Sequence, residues 1–213
     1  MRFSFAQSSA VIFLICATIL RSPEAQSTSF VQLTHAQMVD ASDAVVRGVV
    51  TDLWTEPHEN GTIWTHAQIE ISDILKGDNR LAVVVIQQPG GVWGDQRTTV
   101  AGSARFSVGE EGFFFIAESK TGRLSLVGMY QGKFNILMDP YSREEIVRQV
   151  SLAPNTHYDH RFIPLPSEDA RISAIDFADQ ITERVEVGWD GQSIPGTSRE
   201  RLLQINNVQE GVQ

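Results

Sequence analysis

Trp93, Asp95 and Arg97 sit together in a stretch, Gln88 to Arg105, that also carries Pro89 and glycines at 90, 91, 94 and 102. Tryptophan and arginine dominate protein–protein hot spots, because a large ring and a planar cation each make many contacts while losing little freedom. The whole stretch, with Gln88 and Arg105 at its margins, therefore supplies the candidate binding set: Trp93, Asp95, Arg97, Gln88 and Arg105. The competing structural reading folds Trp93 back over an open end of the β domain and pairs Arg97 with a carboxylate. Eighteen residues make a long loop for a compact domain, and loops of that length are commonly functional or mobile.

Other chemically suggestive groupings lead less far. His157, Asp159 and His160 bring two imidazoles and a carboxylate within four residues. Such a set could hold a divalent metal only on a helix and with further ligands. Pro154 and Pro164 argue against a helix, so the segment reads as a surface linker, and no metal or cofactor is assigned. His58 and His66 flank a turn and could approach across it, or remain solvated hairpin residues. Glu110 and Glu111 are adjacent, which prevents both from addressing one substrate from a strand. Gly128 to Phe134 has one residue too few between its glycines for a phosphate loop, and Phe134 stands where a hydroxyl must meet magnesium. Gly191 to Pro195 ends in proline where a nucleophile elbow needs glycine. Gln131, Lys133 and Asn135 alternate onto one strand face and read as solvent-exposed. No catalytic constellation emerges.

These residues must be positioned by strands. Asp43 to about Trp54 is β-branched, and Ile63 to Ile71 alternates Ile63, Thr65, Ala67, Ile69 and Ile71 against Trp64, His66, Gln68 and Glu70. Asn60-Gly61 is a tight-turn dipeptide, so the two runs form a long hairpin. The sequon Asn60-Gly61-Thr62 lies at its tip. The apolar run Leu81 to Ile86 implies a strand buried on both faces or a tightly curved barrel strand, and Phe113 to Ala117 a strand buried on both faces. Phe106 to Gly112 reads as a turn, and Leu124 to Val127 and Tyr130 to Ile136 as further strands. Gly128 and Gly132 suggest bulges. Thr34 to Gln37 has a capping-box pattern ahead of a short helix, and Ser142 to Glu145 repeats it for a helix through Val150. Ser167 is expected to cap an amphipathic helix with Ile172, Ile175, Ala178, Ile181 and Val185 on or near one stripe. Gly188 to Gln213 reads as a disordered polar tail.

The amino-terminal residues bound the compartment. Met1-Arg2, an apolar run of eleven from Ala10 to Leu20, and a break at Arg21 to Glu24 form a leader with cleavage after Ala25. The run is shorter than the roughly 20 residues that span a bilayer, so no stable membrane insertion is expected after cleavage. The only cysteine, Cys16, lies in that leader, leaving a product without disulfides, thiolate metal sites or a cysteine nucleophile. The formal net charge is −9 at pH 7, the wrong sign for a nucleic-acid footprint. An exported protein, periplasmic or extracellular, is expected. The organisation is a leader over 1–25, a β domain over 34–138, a helical extension over 139–187, and the tail over 188–213.

Five or six short strands, a coiled hairpin and flanking helices give a mainly β fold, fitting a small OB-like antiparallel barrel with a short N-terminal helix and one or two C-terminal helices. An open β-sandwich fits the strand count almost as well. The ordered set Asp43 to Val50, Ile69 to Gly77, Gln88-Pro-Gly-Gly91, Gly102 to Glu110, Phe113 to Phe115 and Gln131-Gly-Lys-Phe134 resembles exported bacterial proteins with a netrin-like, OB-type barrel. Across residues 34–138 it is also distantly similar to tissue inhibitors of metalloproteinases. The resemblance implies a non-enzymatic module that binds another exported protein, in one version a protease. Those inhibitors chelate zinc through an amino-terminal cysteine, which a mature start near Gln26 does not supply. A small-ligand binder, for a saccharide stacked on Trp93 or Trp64, is the alternative.

Overall fold

A computed structural model describes residues 31–58, 60–149, 157–158, 164–165 and 172–194. Thr34 opens helix α1 (His35–Ala41): its Oγ1 accepts from Gln37 N at 3.2 Å while Gln37 Oε1 accepts from Thr34 N at 3.0 Å. This reciprocal pair satisfies amide groups that a helix start leaves open. Strands β1 (Ala44–Pro57) and β2 (Ile63–Lys76) form the long hairpin. There follow β3 (Val83–Pro89), β4 (Gly91–Trp93), β5 (Gln96–Thr98), β6 (Glu111–Glu118), β7 (Leu124–Leu126), β8 (Lys133–Met138) and β9 (Glu145–Gln149). The two-residue strands β10 (His157–Tyr158), β11 (Pro164–Leu165) and β12 (Ile172–Ser173) precede helix α2 (Ala174–Val187).

Among the described residues the fold is mainly β. An eight-stranded sheet runs β12-β9-β8-β6-β1-β2-β3, with β7 also on β6, while β4-β5 and β10-β11 are separate pairs. Every pairing is antiparallel. The path has two ends, so the strands are not closed into a barrel, contrary to the expectation from the strand pattern. The reason lies in β3, which has a ladder to β2 on one side only.

Both faces of the sheet are nevertheless covered. Phe113, Phe114 and Phe115 are all fully buried although consecutive strand residues point to opposite faces. Phe113 and Phe115 join Val45, Phe134, Met38 and Phe177 in a core under the two helices. Phe114 and Ile116 join Val46, Val50, Ile69 and Ile86 in a second core on the other face. The double burial read for Phe113 to Ala117 thus holds. For β3 it does not: Val84 and Ile86 are buried, but Val83 is 48% exposed. A continuous apolar run leaves the number of covered faces undetermined.

Between these cores the strands approach unusually closely at one point. Gly48 of β1 stands opposite Gly112 of β6. A Cβ on Gly48 would run into the carbonyl oxygen of Glu70 on β2, and one on Gly112 into that of Phe134 on β8. The β1–β2 register also shifts between Arg47 and Gly48. Four strands therefore coil tightly around a pair of missing side chains. Gly112 belongs to the interior of β6, not to the turn expected from the sequence.

The carboxy-terminal half departs further from expectation. Glu145–Gln149 is a strand rather than a helix, with Val147 opposite Ile136 and packed into the helix-side core. Arg143 takes a left-handed backbone, φ 59°, and Asp139 holds the turn by accepting from Tyr141 N at 2.9 Å. A helix cannot pass through that conformation. Helix α2 is capped by Ser173, whose Oγ accepts from Asp176 N at 3.0 Å, and buries Ala174, Phe177 and Ile181. Ile175, assigned to the apolar stripe from the sequence, is 72% exposed, because Phe177 sets the rotation of the helix. The expected cap at Ser167 lies outside the described residues. Past α2, Trp189 and Ile194 return to the helix-side core, so residues 188–194 are ordered; 195–213 lie outside the described residues.

Replacing Gly48 by alanine forces a methyl group against backbone that cannot rotate away. The expected loss is about 1–3 kcal/mol of unfolding free energy, read from the urea midpoint. An Ala82→Gly control, at an exposed position before β3, should shift far less.

Candidate functional site

The 88–105 stretch is not a bare loop. β3 continues through Pro89, and the chain then folds into the β4-β5 hairpin with Trp93 opposite Gln96 and Val92 opposite Arg97. Two hydroxyls of the long hairpin fix its base: Thr55 Oγ1 donates to Val92 O and Thr65 Oγ1 to Gly90 O, each at 2.6 Å. Ser103 Oγ donates to Pro89 O at 2.6 Å. The alternation that put Thr65 on one face of β2 thus supplies the bracket, but the sequence did not say what it holds.

On this bracket Val92 and Trp93 are 46% and 48% exposed, and Asp95, Gln96 and Arg97 are exposed. Trp93 does not fold back as cover, and among the described residues Arg97 makes no ion pair. Arg105 is exposed, whereas Gln88 is buried. The Gln88 side chain serves the interior: its Oε1 accepts from Ala104 N at 3.1 Å, and its Nε2 donates to Ala104 O.

Residues 99–107 form a strap across the gap beside β3. Gln88 grips it from β3, Tyr130 N donates to Gly102 O at 2.9 Å, and Lys133 Nζ on β8 donates to Arg105 O. Lys133 also pairs with Glu110 at 2.6 Å and lies 4.9 Å from the Phe106 ring centroid. The strand alternation suggested that Gln131 and Lys133 face solvent; both are buried, at 4% and 2% exposure. Burial pulls the Lys133 pKa below its ordinary value, and the Glu110 carboxylate opposes that shift. Glu111 instead takes Arg47, which donates to it at 2.7 Å and to Glu145 at 2.9 Å. The adjacent carboxylates therefore serve separate cations.

The outer face of the long hairpin carries a second group of side chains. Trp54 stacks on His66 with centroids 5.1 Å apart, and Glu56 bridges them, accepting from Trp54 Nε1 at 3.0 Å and lying 3.7 Å from His66 Nε2. Arg123 lies 4.1 Å over Trp64 and 3.4 Å from His58 Nε2. The two histidines thus each find a tryptophan rather than one another.

A third feature is a cleft of about 320 Å³ between α1 and α2, lined by His35, Val39, Phe177, Gln180 and Ile181 among others. Arg184, which also lines it, makes a two-pronged pair to Asp40, at 3.0 and 2.5 Å. His35 meets Phe134 and Phe177 edge-on, and burial lowers its pKa. Among the described residues no three metal-ligating side chains converge, and no helix is long and apolar enough to cross a membrane. The side chain of His157 and all of His160 lie outside the described residues.

No protein-family model matches the chain, and no curated protein matches it significantly. The paired charges are occupied with one another, whereas the β4-β5 tip offers an exposed indole, an aliphatic side chain and a guanidinium on a braced support.

Two consequences are measurable. Lys133→Met leaves Glu110 without its cation in a largely dry site and should cost about 3–5 kcal/mol, with much of the loss recovered in Lys133→Met/Glu110→Leu; a double-mutant cycle in urea reads both. For His35 the sign follows from its lowered folded pKa. As pH falls below about 6.5 the unfolded chain binds a proton that the folded chain resists. Stability should fall over that interval, until the pH passes the folded pKa. In His35→Phe this part of the slope should vanish, as measured by urea titration above the range where carboxylates protonate.

Proposed function

We propose that this chain is an exported, non-enzymatic binding module that engages another exported protein through the 88–105 segment. The observation that carries this reading is Trp93, half exposed beside Val92 and Arg97 on a hairpin whose base is fixed by Thr55 and Thr65. A braced apolar anchor loses little conformational freedom when it binds, and affinity depends on that saving. Val92, Trp93 and Arg97 would form the contact, Asp95 and Arg105 its rim, and Gln88 would support it from within. Export rests on the leader read in residues 1–25. The absence of a basic footprint speaks against nucleic acid as a partner.

We read the curled sheet with its inner core as a partly open, OB-like relative of the netrin-like barrel. The protease-inhibitor version of the function would need a contact other than an amino-terminal cysteine, and the β4-β5 tip is its natural candidate. Saccharide binding is the second reading, supported by the stacked Trp54 and His66 and by Trp64 on the outer face. A glycan panel that leaves tryptophan fluorescence unchanged counts against it.

The decisive comparison captures partners from the envelope or extracellular fraction with wild type and with Trp93→Ala/Arg97→Ala. A specific protein should be retained by the first and lost by the second, with affinity weakened by about 2 kcal/mol or more, roughly 30-fold. Identical captures from both baits would refute the assignment of this surface.

A further inference from the structure

The β1–β2 tip carries a reactive arrangement unrelated to the binding surface. We propose that Asn60 is a site of intramolecular deamidation, at which the folded chain converts a carboxamide to a carboxylate. The nucleophile is the backbone nitrogen of Gly61. Asn60 is exposed, and its Oδ1 accepts from Thr62 N at 3.0 Å. This Asx turn holds the carboxamide along the stretch of main chain that contains the attacking nitrogen. Gly61 has φ 79°, and nothing lies within 4 Å of where a Cβ would stand. No side chain of its own and no packed neighbour crowds the Cα next to that nitrogen.

Holding the two groups on adjacent residues makes the attack unimolecular. Loss of the Gly61 amide proton to solvent base lets the nitrogen bond to Asn60 Cγ. The bond from Cγ to the side-chain nitrogen breaks, and that nitrogen takes a proton back from solvent and leaves as ammonia. The resulting five-membered imide then adds one water. Opening at one carbonyl gives aspartate at position 60, and opening at the other gives isoaspartate, with one more backbone atom in the turn. No atom changes oxidation state. The net exchange is one water taken up for one ammonia released, and the tip becomes one charge more negative. Opposing the reaction is the bond from Gly61 N to His58 O at 2.8 Å, but exposed bonds at a loop tip open at low cost.

The other described asparagines provide internal controls. Asn79 is followed by Arg80, whose side chain crowds the attacking nitrogen, and Asn135 is held in β8 opposite Gly112 and Arg148. The purified full chain would be incubated at physiological temperature over a series of neutral to mildly alkaline pH values, then mapped by peptide mass spectrometry. Position 60 should gain the acid before positions 79 and 135, as mixed aspartate and isoaspartate, and faster at higher pH. Asn60→Gln, with an unchanged melting transition, should abolish the conversion there. An intact Asn60 while Asn79 reacts, equal rates at the three positions, or reaction at 60 only after unfolding in urea would each overturn the proposal.

Discussion

The close crossing at Gly48 and Gly112 is the constraint on which the other features depend. Side chains there would hold β1 away from β2 and β6 away from β8. Without them the sheet coils, and β1, β6 and β8 each bury residues of both parities. The three consecutive phenylalanines of β6 follow from this geometry, since neither face is left to water. Burying a phenylalanine is worth about 1.5–3 kcal/mol, so a crossing that buries three consecutive ones contributes heavily to a chain with no disulfide to add.

Covering both faces required two different solutions. On one side α1 and α2 lie against the phenylalanines, joined by Arg184 and Asp40 across 144 residues of sequence. On the other the sheet wraps on itself but leaves β3 without a second ladder. The 99–107 strap fills that gap through side chains reaching its backbone, principally from Gln88 and Lys133. Burying a lysine is costly because its charge loses water. Glu110, the Arg105 carbonyl and the Phe106 ring each return part of that loss. The same strap leads away from the β4-β5 hairpin, so the polar interior and the exposed indole belong to one braced unit.

That continuity explains which parts of the site were legible from sequence. Trp93, Asp95, Arg97 and Arg105 could be singled out because residue type and local glycine content suggest an exposed loop. Gln88 is placed by the sequence in the binding set and Lys133 on a solvent-exposed face, because loop composition does not reveal an inward side chain and alternation identifies two faces without naming which one is covered. Their partners, Ala104, Arg105 and Glu110, lie 16 to 28 residues away for Gln88–Ala104 and Lys133–Arg105. The Trp54–His66 and Trp64–Arg123 groupings were likewise invisible, since they need the hairpin register and the β6–β7 turn together.

By itself the sequence determined what local physics controls: the Thr34 capping box, the hairpin turn at Asn60-Gly61, the period-two strands and the predominance of β structure. Each depends on groups a few residues apart. Only the tertiary structure decided that the sheet stays open, that Glu145–Gln149 pairs as a strand, that α2 turns Ile175 outward, and that Trp189 and Ile194 return to the core. In each case the deciding partner is distant in sequence. A local propensity of a few tenths of a kcal/mol per residue yields when long-range burial of a single large side chain contributes several times as much.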